Sequence, residues 1–182
     1  MRFGRVTAST IHEASHCKTA EGALVCKIIG AAKAYDNVFM KRGRALEKFV
    51  LRILASKLKL EIKKCGIILI PELVVIGASA DGLGDDFVVE IKCPSSKKTT
   101  SYYIKGGEIC EKFKAQIDLQ MFAAKKKRGL FCAADPNFEE NGEFKYLWIE
   151  YDENYTRALI KRARAFWLEK ILPVISKPYA AL

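Results

Sequence analysis

Between residues 41 and 60 apolar side chains recur at spacings of three and four, and Leu46, Phe49, Val50, Ile53, Leu54 and Leu58 define one face of a long helix. Upstream, Thr10-x-x-Glu13 has capping-box spacing and predicts a short helix that starts near Ser9 or Thr10. Three strand-like runs follow the long helix, at 64–70, 73–79 and 87–93. The last two flank the turn-rich Asp81-Gly-Leu-Gly-Asp-Asp86, the pattern of a hairpin. A helix is expected over 108–126, then strands 130–134 and 144–151 about the turn Asn141-Gly142. A last helix begins after Asp152 as N-cap and is stopped by Pro173. This succession predicts an α/β fold in which helices flank a mixed sheet.

The chain has 182 residues, half of them apolar and 29% charged, so disordered and fibrous classes are excluded. One domain over residues 1–182 is expected, its C-terminal helix spanning about 152–172. The best candidate for a membrane span, Gly66 to Ala80, is interrupted by Pro71 and Glu72. Arg2 and Arg5 are followed by Thr7, Ser9, Thr10, His12 and Glu13 where a signal peptide would place apolar residues. The six cysteines form no C-x-x-C pair, which is the usage of a reducing compartment: the cytoplasm or nucleus of a host. With 31 Lys+Arg against 21 Asp+Glu, the net charge of +10 favours a polyanionic partner.

Candidate chemistry concentrates in Ala80 to Pro94. Strand alternation puts Val88, Glu90 and Lys92 on one face and Phe87, Val89 and Ile91 on the other. In so apolar a run, a carboxylate and an ammonium are costly unless paired or bound to metal, and Asp81 lies just across the expected turn. Two carboxylates with room for a backbone carbonyl, that of Ile91, suit Mg²⁺, and Lys92 could then position or deprotonate an attacking water. The plainer alternative is an edge strand with a solvated ion pair. Glu47 bears on that choice: at about 100° on the long helix it falls between Leu54 and Leu58, inside the apolar sector.

Ile76-Gly-Ala-Ser-Ala-Asp-Gly82 with Val89-Glu-Ile-Lys-Cys-Pro94 resembles the motif pair of the YqaJ-type viral recombinases, the group that includes lambda exonuclease within the PD-(D/E)XK nuclease superfamily. Arg2-Phe-Gly-Arg-Val-Thr-Ala-Ser9, Gly43-Arg-Ala-Leu-Glu47 and Ala115-Gln-Ile117 resemble further blocks of that family in the same order, over about residues 2–150. The resemblance implies a restriction-endonuclease-like fold and a Mg²⁺-dependent deoxyribonuclease, with Mn²⁺ as a substitute ion. It implies Asp81 and Glu90 as metal ligands, Lys92 as the catalytic lysine, Glu47 as a supporting acid and Gln116 near the scissile phosphate. Where relatives read Gln-x-Gln this chain has Gln116-Ile-Asp118, so an acid replaces the second glutamine. Double-stranded DNA, a single-strand annealing protein and a homotrimeric assembly are the implied partners. Ser9, at or beside a helix N-terminus with Arg2 and Arg5 upstream, outlines a phosphate pocket, and the resemblance implies Arg2 and Ser9 as binders of a DNA 5′-phosphate, with Arg5 lining the groove. That gives 5′-to-3′ exonuclease action.

Two other readings stand beside this one. A DNA-binding recombination module without nuclease activity would keep the basic surface, such as the nine Lys/Arg against two acids in residues 41–64, but would not need the intact Asp81, Glu90 and Lys92 set. His12-Glu13-Ala-Ser-His16 satisfies the zinc-metalloprotease pattern, but these are the only histidines and a third ligand is not evident. Lys125-Lys-Lys-Arg128 reads as the solvated last turn of a helix, a nuclear signal or a DNA contact.

Overall fold

In the computed structural model residues 2–19, 22–32 and 37–176 are described, and the remaining residues of the expected 1–182 domain lie outside them. Strand β1 (Val6–Thr7) leads directly into helix α1 (Ala8–His16). The cap sits one turn earlier than expected: Thr7 is extended, and Thr10 Oγ1 accepts from the Thr7 N–H at 2.9 Å. Thr10 is thus the third residue of the helix rather than its cap. Helices α2 (Ala23–Ile28) and α3 (Val38–Leu58) follow. Asn37 caps α3 by accepting from Met40 N at 2.8 Å. The helix starts three residues before the expected boundary because Val38, Phe39 and Met40 are solvent-exposed and contribute nothing to the apolar periodicity. Leu46, Val50 and Leu54 are buried as expected, whereas Phe49 is exposed beneath the Arg52 guanidinium.

The runs 64–70 and 73–79 are strands only at β2 (Ile68–Leu69) and β3 (Ile76–Ala78), with a 3₁₀ turn at Pro71–Leu73 between them, where the proline cannot donate to a ladder. The expected hairpin is corrected here. β3 pairs with β1 in parallel, Val6 opposite Ile76, and with β2 antiparallel. β5 (Phe87–Lys92) takes as its hairpin partner the short β4 (Gly82–Leu83). Ser79 to Asp81 therefore carries the chain from one sheet to the next. Gly82 permits this, because a Cβ there would stand 2.4 Å from Ile62 Cγ2.

Next come α4 (Lys97–Tyr103), which the pattern did not reveal, and the two-residue strands β6 (Ile104–Lys105) and β7 (Glu108–Ile109). Because Glu108 and Ile109 pair with Lys105 and Ile104, the following helix α5 (Glu111–Ala124) starts later than the expected residue 108. β8 (Arg128–Ala134), the single turn α6 (Phe138–Asn141) and β9 (Phe144–Glu150) precede α7 (Glu153–Phe166), which Asp152 caps as expected by accepting from Tyr155 N. Pro173 does not stop this helix. A π turn over Trp167–Ile171 shifts the ladder, Leu172 N–H bonding Trp167 C=O, and α8 (Leu172–Ile175) begins with Pro173 in its first turn, where a missing N–H costs nothing.

The main sheet has the order β4-β5-β8-β9, with β5 and β8 parallel and buried at its centre. On one face Leu46, Val50 and Leu54 of α3 pack against Phe87, Val89 and Ile91; on the other, Phe113, Ile117 and Met121 of α5 pack against Val88 and Phe131. The alternation expected for β5 is the one observed. Helix α5 can lie this close because residue 129 is glycine, where a Cβ would meet Ile117 Cγ1 and Cδ1 at 2.8 and 2.7 Å. The outer side of α5 packs on α1 and α7, so it is buried nearly all round.

Candidate active site

β5 brings Glu90 and Lys92 up beneath α5. Lys92 Nζ donates to Glu90 Oε1 at 2.5 Å and to Gln116 Oε1 at 3.3 Å, and it lies 4.9 Å from the centre of the Phe113 ring. Gln116 Nε2 donates to Glu90 Oε1 at 2.6 Å. Glu90 is 3% exposed, so these donors supply the solvation that water does not. Asp81, at the sheet-to-sheet crossing, accepts from Ile91 N at 2.6 Å through Oδ2, and Glu47 of α3 lines the same cleft beside it. A residue's N–H and C=O leave an extended strand on the same edge, so the Ile91 carbonyl also faces the Asp81 side of β5. Asp81, Glu90, Lys92, Glu47 and Gln116 thus come together from β5, α3, α5 and the Ser79–Asp81 crossing.

Three carboxyl groups share this floor with one lysine. Burial, followed by the negative fields of Glu90 and Glu47, pushes the Asp81 carboxyl up to about 8. Burial and then Glu90 also raise Glu47 above the ordinary carboxylate value. Burial works against the Lys92 ammonium, but the Glu90 carboxylate bonded to it and the nearby Asp81 outweigh that effect and hold it above the usual lysine value. Asp81 is the group whose charge the surroundings resist most, and it holds a proton at neutral pH when no cation is present. A buried oxygen cluster that retains a proton for want of positive charge fits a hard divalent cation. Neighbouring Cys93 is inert as a nucleophile, because burial and then Glu47 push its thiol up to about 12.

The floor opens into a cleft of about 460 Å³ lined by Glu47, Asp81, Glu90 and Gln116, with Arg2, Arg44, Lys48 and Lys64 around it. Ser9, in the first turn of α1, lines the same cleft and is exposed there. Arg5 is not among its lining residues and donates Nε to Val74 O at 2.9 Å. The run 125–128 is partly committed to the protein: Lys126 Nζ donates to Asp85 O, and Arg128 pairs with Asp86 at 2.7 Å.

Gln120 is a further residue of the site. Its Nε2 donates to Glu90 Oε2 at 2.6 Å and to Ser79 O at 2.9 Å, while Asp118 points away, bonded to Lys114 at 2.6 Å and to Asp152 N. The sequence signal for Gln120 is helical periodicity: position 120 is one turn from Gln116 and shares its face, whereas position 118 is on the far side. His12 and His16 lie apart from the cleft, their ring centres 4.6 Å from each other, in a shallow depression that Tyr102 and Lys112 also line.

A mixed sheet with helices on both faces and an acid–lysine cluster at the end of its central strand places the chain among α/β exonuclease folds. LHK-Exo, an alkaline exonuclease from Laribacter hongkongensis solved in complex with dAMP, superposes with a TM-score of 0.81 at 26% identity, covering 96% of this chain and 91% of that one. A phage-related exonuclease from Haemophilus somnus 129PT shares the fold at 14% identity and a TM-score of 0.72, covering 95% of this chain and 96% of that one. The chain belongs to the YqaJ-like viral recombinase domain family, whose model matches residues 1–127 and so takes in every block that carries the resemblance. No curated protein sequence matches it. Among the described residues no helix is long and apolar enough to cross a membrane.

Proposed function

We propose that this chain is a Mg²⁺-dependent deoxyribonuclease that degrades linear double-stranded DNA from 5′ ends in recombination or repair. The observation that carries the reading is the convergence of Asp81, Glu90 and Glu47 with Lys92, an acidic floor inside a basic rim. Asp81, Glu90 and the Ile91 carbonyl would hold the metal, with Glu47 in support. The bound ion would offset charge developing on the scissile phosphate and acidify a water. Lys92, held cationic by Glu90, would orient the attacking water and stabilise charge developing on the phosphate. Gln116 fixes Lys92 and Glu90 relative to each other, and Gln120 holds the second Glu90 oxygen. The rim cations Arg2, Arg44, Lys48 and Lys64 engage backbone phosphates without reading sequence.

Ser9 beside the first-turn N–H groups of α1, with Arg2 across the cleft, is the candidate receptor for a terminal 5′-phosphate. A homo-oligomer and a single-strand annealing partner, implied by the resemblance of the sequence blocks, complete the proposed working assembly. The deciding experiment incubates purified protein with end-labelled linear duplex in Mg²⁺, with and without chelator. Metal-dependent release of nucleotides supports the reading. Duplex binding without cleavage would instead favour the recombination module.

A further inference from the structure

We propose that His12, His16 and Glu111 form a second metal site, separate from the acidic cleft, that takes a zinc-class transition-metal ion and ties α1 to α5. One ring nitrogen of each histidine and a carboxylate oxygen of Glu111 lie within 4.8 Å of one another. The histidines are one turn apart on α1, the spacing that lets two imidazoles grip one ion. Glu111, the first residue of α5, supplies the third ligand that the sequence did not disclose. The H-E-x-x-H pattern therefore contributes its two histidines, and the acid comes from another helix rather than from Glu13.

A backbone contact sets the tautomer of His16. Its Nδ1 stands 2.8 Å from the His12 carbonyl oxygen. A carbonyl can only accept, so Nδ1 carries the proton and Nε2 keeps its lone pair, the arrangement that backbone carbonyls impose on metal-binding histidines. Two imidazole nitrogens and one carboxylate oxygen match zinc and poorly suit magnesium, which demands oxygen ligands. Bonds of about 2.0–2.2 Å draw tetrahedral ligands closer than 4.8 Å, so binding requires the exposed His16 and Glu111 side chains to close in on the ion. His12 and His16 both line an open depression, so water could reach a fourth coordination position.

Both tied helices serve the cleft: α1 carries Ser9, and α5 carries Gln116 and Gln120. A metal that bridges them stabilises the native arrangement of those groups, because the unfolded chain does not present the three ligands together.

Calorimetric titration with Zn²⁺ in excess Mg²⁺ tests the site. One equivalent should bind, and His16→Ala and Glu111→Gln should each weaken binding at least about tenfold, the least expected when a ligand sphere is disturbed. Both residues are exposed, so neither substitution removes core packing. Asp81→Asn should leave zinc binding unchanged, and Zn²⁺ should raise the melting temperature of the wild-type chain but not of His16→Ala. Absence of saturable binding, retention of full affinity in His16→Ala, or loss of binding in Asp81→Asn would each overturn the proposal. The last outcome would assign the zinc to the acidic cleft.

Discussion

Gln120 Nε2 lies 2.6 Å from Glu90 Oε2, on the carboxylate oxygen opposite the one that Lys92 and Gln116 share. Glu90 is thereby held from both sides, and its orientation depends on α5, four elements downstream of β5. Replacing Gln120 by Leu keeps the bulk but strips donors from Glu90 and from the Ser79 carbonyl, at a cost of about 1–3 kcal/mol. We expect at least tenfold slower cleavage and a greater requirement for Mg²⁺, with duplex affinity retained. Unchanged Mg²⁺ dependence would reduce Gln120 to a packing role.

The acid–lysine cluster gives a sharper test. Asp81→Asn, Glu90→Gln and Lys92→Ala should each abolish cleavage while leaving filter-binding affinity for duplex DNA nearly intact, since the basic rim is untouched. Near-native rates in any one of them would remove that residue from the proposed machinery.

Stability should carry the signature of Asp81. Its carboxyl titrates near 3.8 when unfolded and at about 8 in the fold, so the folded pKa is raised. The associated stability is fully present below pH 3.8 and is lost as pH rises through about 8. Metal-free protein should therefore melt at a lower temperature at pH 9 than at pH 6. Mg²⁺ should narrow the gap, and Asp81→Asn should flatten the dependence in scanning calorimetry. Glu47, also raised, contributes with the same sign.

End preference follows from Arg2 and Ser9. Charge-assisted contacts to a terminal phosphate are worth about 1.5–3 kcal/mol, so a 5′-phosphorylated duplex should be degraded at least about tenfold faster than its 5′-hydroxyl counterpart. Arg2→Ala should erase that ratio. Arg5→Ala should preserve it, because Arg5 bonds the Val74 carbonyl and does not line the cleft. Equal rates on both ends of wild-type substrate would dismiss the pocket.

Gly129 links packing to chemistry. Gly129→Ala would drive a methyl group into Ile117 and displace α5 from the sheet, an overpacking cost of about 1–3 kcal/mol. Both the melting temperature and the cleavage rate should fall, although residue 129 touches no group of the site. A stable variant with full activity would show that α5 need not sit so close.

The chain's own pattern determined which residues could do chemistry. Strict alternation along 87–92 put Glu90 and Lys92 on one face, and the 3.6-residue period placed Glu47 within an apolar sector, because both periodicities are properties of the local backbone. The α3 and α5 bodies, the buried β5 and the Asp152 cap were legible for the same reason. What only the tertiary structure decided was partnership. Whether 76–78 pairs with β5 or with β1 depends on contacts between segments distant in sequence, and no local period records them. Pro173 is a local stop signal, yet a π turn carries the helix past it. Gln120 and Glu111 gain their meaning from what α5 is packed against: Glu90 on one side and His12 and His16 on the other. A side chain's type and helical phase are written in the sequence, but the group it meets is fixed only when the helices and sheets dock.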